Sequence, residues 1–247
     1  MSNIQLSTIS TLPPKSMDKS DYEEKTKAYI EAIGEMQNML FAQGKYSLLV
    51  VLQGMDASGK DGVIKEVFSG VNPMGCKVKG FKKPTEEEMK HDFLWRVHKE
   101  VPEKGMIQIF NRSHYEDVVI QRVHKWVDAA TIKRRYAHIN AFEQLLEENG
   151  TRVLKFYLHV SQEEQIERLK ERLSDRKKMW KYNANDLEES KLWKDYMEAY
   201  QFAFDNCSGE VPWHIIPADK NWYKEYLIAQ VIHDTLKSLN LEYPALS

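Results

Sequence analysis

Five short apolar runs mark the chain, at residues 48–52, 76–81, 106–110, 153–158 and 213–216, and stretches of helical spacing lie between them. Strands separated by helices predict βαβ units, hence a parallel sheet with helices over both faces. Residues 22–43 carry Tyr29, Ile33, Met36 and Leu40 on one helical stripe, a lead-in helix that should pack on the sheet or on a partner subunit. Residues 86–99 place Met89, Phe93 and Val97 on one face, which predicts a helix with those three in the core. Further helices are expected over 130–149 and 222–239. The polar residues 1–20, with Pro13 and Pro14, predict an arm over the surface. Residues 161–206 exceed what a crossover needs, and their charged first half predicts a mobile lid. No internal repeat points to a solenoid.

Composition narrows the class. With 247 residues, 42% hydrophobic and 29% charged, one core is expected. We therefore expect one domain over 1–247, with an N-terminal arm and helix at 1–45 and a lid insertion at about 165–190. A net charge of −2, from 35 Lys and Arg against 37 Asp and Glu, argues against a nucleic-acid coat or a membrane-surface protein. A polyanion must then meet a local patch. Cys76 and Cys207 have neither disulfide-framework nor metal spacing, and His91, His98, His114 and His124 lack zinc spacing. The six tryptophans are expected mainly as packing anchors, with an aromatic near the lid left open as a stacking surface for a nucleobase. Neither an export signal nor a membrane-length apolar run is seen, so a cytoplasmic protein is expected.

The chemistry concentrates after the first apolar run, where residues 54–61 read GMDASGKD. Gly54 and Gly59 let backbone N–H groups turn toward phosphate oxygens, with Ala57 and Ser58 between them. The next helix adds partial positive charge at its N-terminus, and Lys60 adds a full one. Asp61 stands where a magnesium-ligating hydroxyl is usual, so either the metal is held differently or this is an ordinary βα turn. After the third run comes NRSHYED, residues 111–117, at the strand edge where α/β sheets bind ligands. Asp117 is the leading carboxylate for magnesium there and Glu116 the next, while Arg112 is suited to neutralise a transferring phosphoryl group. The alternative for these residues is capping the following helix. Arg168, Arg172 and Arg176, four apart, predict a basic stripe on the lid, or else a solvated face paired with Glu164 and Glu171.

The loop G-x-D-x-x-G-K-D and the strand-end N-R-S-x-Y resemble the polyphosphate kinase 2 family. The similarity continues through FKKPT at 81–85, DFLWR at 92–96 and the basic lid, over about residues 30–240. The resemblance implies a three-layer α/β/α phosphate-loop kinase fold, with a central parallel sheet and a helical lid. It also implies phosphoryl exchange between inorganic polyphosphate and nucleoside mono-, di- and triphosphates, with Mg²⁺ required and Mn²⁺ as a substitute. Asp56 and Asp117 match the family's paired acids near the metal and the accepting phosphate, with Asp61 as a further metal candidate. Lys60 matches the loop lysine, Arg112 the strand-end arginine, and Arg168 and Arg172 the basic lid. Glu116 marks a subgroup that phosphorylates both mono- and diphosphates, taking AMP to ADP and ADP to ATP. A linear polyphosphate needs an extended basic path, for which Lys65, Lys77, Lys79, Lys82 and Lys83 are candidates, each alone equally a surface lysine. The resemblance and the aromatic-rich terminal helices suggest a homo-oligomer, dimer or tetramer. Two other readings are an ATP-dependent nucleotide kinase of thymidylate-kinase-like type, disfavoured by Asp61 and the extra lysines, and a non-catalytic polyphosphate-binding protein.

Overall fold

Strand β1 (Ser47–Gln53) is buried at every position because it runs through the middle of a five-stranded sheet of order β2-β3-β1-β4-β5. The computed structural model describes residues 4–245. The other strands are β2 (Cys76–Gly80), β3 (Ile107–Asn111), β4 (Thr151–His159) and β5 (Trp213–Pro217), and every adjacent pair is parallel. All five strands coincide with the apolar runs. Side chains alternate along β1, so Leu49 and Val51 enter one core while Leu48, Val50 and Leu52 enter the other. Both faces are covered, and the strand therefore reads as a continuous apolar run.

One core packs beneath α4 (Glu116–Val123), α5 (Ala129–Glu148) and α8 (Trp193–Asn206). The other packs beneath α1 (Lys19–Gln43), α2 (Lys60–Val67) and α9 (Asn221–Ser238). This is the expected three-layer arrangement. The two longest helices begin at side-chain caps, with Asp18 accepting from Ser20 N and Asp128 from Thr131 N. Tyr22 and Tyr29 of α1 pack on Trp222 and Tyr226 of α9. The terminal-helix aromatics are thus used within the chain. The arm lies on the surface as expected, with Leu6 buried and Thr11 donating to the Asp219 carboxylate at 2.7 Å; residues 1–3 lie outside the described range. Among the described residues, no helix is long and apolar enough to cross a membrane.

Residues 86–99 depart from expectation. Thr85 and Glu88 form a reciprocal cap around one 3-10 turn, and His91 is then extended. The Asp92 carboxylate accepts from Leu94 N and Trp95 N at 2.9 and 3.1 Å, starting a second, four-residue helix, α3 (Trp95–His98). Side-chain capping competes with helix continuation, so the face is broken. Val97 is buried, but Met89 is 60% exposed. Trp126 and Trp180, expected as packing anchors, are exposed instead, because both sit on connecting segments with no apolar layer above them.

The segment expected as a lid contains α6 (Gln162–Ser174), a 3-10 turn at Met179–Lys181 and α7 (Ala184–Lys191). Helix α6 stops at Ser174, where Asp175 becomes extended. Arg176 therefore falls off the stripe formed by Arg168 and Arg172. That correction follows from a helix end that the four-residue spacing does not report.

Candidate active site

The β1–α2 junction and the end of β3 meet at the carboxyl edge of the sheet, beside the point where successive connections turn to opposite sides of β1. Gly54 and Gly59 adopt φ of 147° and 98°, and Ala57 between them is left-handed at 62°. At Gly59 a side chain would also run into the Lys224 ammonium. Lys60, the first residue of α2, is buried and folds back to donate to Gly54 O at 2.7 Å and Met55 O at 3.1 Å. Burial draws its ammonium down to about 8. Arg112 pushes the same way, and Asp56, Glu116 and Asp61 oppose.

Arg112 follows β3 in a left-handed conformation, φ 63°, unusual for a side chain with a Cβ. Its N–H is tied to Leu52 O at 3.0 Å, and its guanidinium donates to the Asp56 carboxylate. The strand-end motif is braced from behind by a buried network. The Lys155 ammonium donates to Glu143 at 2.6 Å and Tyr115 OH at 2.8 Å, while Glu143 accepts from Tyr115 and contacts His114. Burial would raise the Asp56 carboxyl, but Arg112 and Lys60 outweigh it and hold it below the usual range. Asp61 accepts from Asn111 at 2.8 Å and Lys181 at 2.6 Å, joining the loop to the strand end and the lid. These bonds likewise outweigh burial and lower its carboxyl. Glu116 feels Arg112, Lys60 and Asp56, yet burial dominates and raises it.

Asp117, adjacent in sequence, turns elsewhere. Its carboxylate is buried against Arg96 at 3.2 Å, with Arg135 donating to its backbone oxygen at 2.7 Å, and neither it nor Glu116 lines the cleft. Successive helical residues point about 100° apart. Glu116 therefore faces the loop's charges, while Asp117 clamps the base of α4 to the segment carrying Lys82, whose carbonyl also accepts from Arg96.

The cleft holds ≈ 740 Å³ and runs from Asp56–Asp61 across Lys82 and Arg112 to the lid and α9. Of the expected lysine path only Lys82 lines it. Lys77 and Lys79 pair with Glu103 and Glu100 on the outer edge of the sheet, and Lys65, Lys83 and Arg176 also stand outside. Arg168 and Arg172 line the cleft but are tied to groups of the protein. Arg168 pairs with Glu164 and donates to Ala57 O, Ser58 O, Ala218 O and Asp219 O; Arg172 pairs with Asp186 at 2.6 Å. Lining residues not committed to as site residues from sequence include Lys177, Lys178, Lys181, Trp180 and Lys224. The basic run after Arg176 signalled the first three, but Lys224 lies on an ordinary amphipathic helix and carried no signal.

A family model described as polyphosphate kinase 2 matches residues 16–244. The AMP/ADP-polyphosphate phosphotransferase of Meiothermus ruber is 47% identical over 235 residues, 92% of this chain and 88% of its own. The ADP-polyphosphate phosphotransferase of Rhodopseudomonas palustris is 41% identical over 92% of this chain and 83% of its own. The crystal structure of polyphosphate kinase 2 from Arthrobacter aurescens TC1 superimposes with a TM-score of 0.97 at 43% identity, covering 100% of this chain and 90% of that one.

Proposed function

The chain belongs to the polyphosphate kinase 2 family and is a phosphotransferase of that type, and on that premise we propose that it moves the terminal phosphoryl group of inorganic polyphosphate reversibly onto nucleoside mono- and diphosphates, AMP to ADP and ADP to ATP. The observation that carries this is the phosphate loop with Lys60, closed against Arg112 and Asp56 beneath a basic cleft. The accepting phosphate is already anionic, so no strong general base is needed, and the obstacle is repulsion between two polyanions. Lys60 leaves Gly54 O and Met55 O for a donor phosphate, and Arg112 exchanges Asp56 for the transferring group. Their charges then meet the charge that builds on its equatorial oxygens. Asp56, freed, orients the acceptor.

Among the described residues, no group of three or more acidic, histidine or cysteine side chains forms a preassembled metal cluster. That suits Mg²⁺, or Mn²⁺ in its place, which takes one or two carboxylates and completes its shell with water and substrate phosphates. Asp56 and Asp61, which line the cleft, would hold it, with Glu116 behind them, and it would supply charge neutralisation for the phosphates. In this reading Asp117 positions Glu116 instead of meeting the metal. Asp117→Asn is then expected to lower stability by about 3 kcal/mol, because Arg96 loses its buried counter-charge. Transfer per folded molecule should change by less than about tenfold, ~1.4 kcal/mol. Urea denaturation beside a rate assay checks both, and a stable but inactive variant would return Asp117 to the reacting groups.

The test of the whole is incubation with magnesium and long-chain polyphosphate, offering AMP and ADP separately and resolving products by ion exchange. ATP from ADP establishes the donor, and ADP from AMP supports the subgroup read from Glu116. Transfer from ATP alone would replace this function with a conventional nucleotide kinase. The reading includes a cytoplasmic setting, where nucleotides are abundant, and a homo-oligomer covering the exposed Phe41 and Met74, which sedimentation decides.

A further inference from the structure

We propose that Lys224, reaching from α9 to the phosphate loop, is a further donor-binding residue that holds the polyphosphate unit behind the one met by Lys60. This rests on the function proposed above and assigns that site a residue from the far end of the chain. Lys224 is 1% exposed, and among the described residues it makes no ion pair. Its ammonium donates to Asn221 of its own helix; burial and Arg168 draw it down, and Glu225 and Glu164 oppose them without reaching ion-pair distance. A buried ammonium with no carboxylate in direct contact carries a large desolvation penalty. A purely structural bond to Asn221 would be made as well by a neutral side chain.

Placement explains the charge. The Lys224 Nζ occupies the space a Cβ on Gly59 would need, at the head of α2, where backbone N–H groups are suited to receive phosphate. The cleft wall there is formed by Lys224, Asn221, Lys60 and Gly59 together. A single phosphate on the loop would meet Lys60, but a linear polyanhydride continues from it, and its next unit needs a cation on the far side of the loop. The lysines of the opposite route do not line the cleft, apart from Lys82. A donor that continues toward α9 meets Lys224 in the cleft wall, and Lys224 then gains an anion in direct contact.

The test compares the parent with Lys224→Met, which keeps the length and removes the charge. The expected result is a donor KM for long-chain polyphosphate raised about tenfold or more, the scale of one charge-assisted hydrogen bond. The ADP KM should hold, and the melting temperature should be equal to or above the parent's because an unpaired buried charge is gone. A donor KM unchanged, or both KM values raised together, overturns the proposal. Should Lys224→Met fail to fold, Lys224→Gln is read by the same criteria. Calorimetry with inorganic tripolyphosphate alone separates this inference from the enzymatic reading. Weaker binding by the variant supports Lys224 even where no transfer is seen, and equal binding rejects it even where the parent turns over.

Discussion

Arg112→Ala is expected to slow phosphoryl transfer about 10⁴-fold in kcat/KM, ~5.4 kcal/mol, with folding intact. The guanidinium stands at the end of β3, partly shielded from water and already directed at a carboxylate. It is therefore preorganised for the charge that develops during transfer, and solvent has little reorganisation left to do. Its backbone is held by Leu52 O in the left-handed region, so the side chain's origin does not wander. Arg112→Lys keeps the charge but not the planar fork and should recover only part of the loss. Single-turnover kinetics with polyphosphate and ADP, beside thermal melting, measure the effect. A folded alanine variant within about tenfold of the parent, ~1.4 kcal/mol, would remove Arg112 from the reaction.

The second large effect is expected at Lys60, where Lys60→Met should lower kcat/KM about 10³-fold, ~4 kcal/mol, chiefly through the transition state. Its pH behaviour is distinctive. Burial holds the empty-site ammonium at about 8 against an ordinary 10.5. Between those values the unfolded chain binds more protons than the folded one, so this group's contribution to stability rises with pH across that window. Donor binding needs the proton and moves oppositely, so the parent's donor KM should climb as pH passes about 8. Lys60→Met loses its share of that climb, while Lys224, also drawn to about 8 by burial and Arg168, retains the rest. Rate profiles from pH 7 to about 9.5 decide it. A parent whose donor KM stays flat across that range contradicts the assignment.

How far the sequence could be read depends on which interaction decides each feature. The five strands were legible because a strand covered on both faces must be apolar throughout, and the phosphate loop because its glycines and lysine are backbone and charge requirements. The choice between Glu116 and Asp117 was not legible. It turns on the rotation of α4, set by Tyr115, Val118 and Val119 entering the core. Residues 86–99 misled because Asp92 caps inside a helical pattern. Arg168 reads as a phosphate ligand by spacing, yet backbone carbonyls from two distant turns use its donors. Lys224 is invisible in sequence because its neighbour, Gly59, lies far away along the chain.

The lysines that looked like a substrate path have a different consequence. Strand β2 is an open edge of the sheet with Val78 54% exposed, a surface on which a second chain could add its own strand. Lys77 and Lys79 stand along that edge, tethered to Glu103 and Glu100. A copy docking there would have to strip both tethers and crowd like charges together. The edge is closed to sheet extension by charge, and concentrated or newly made molecules keep from zipping into one another without a covering helix.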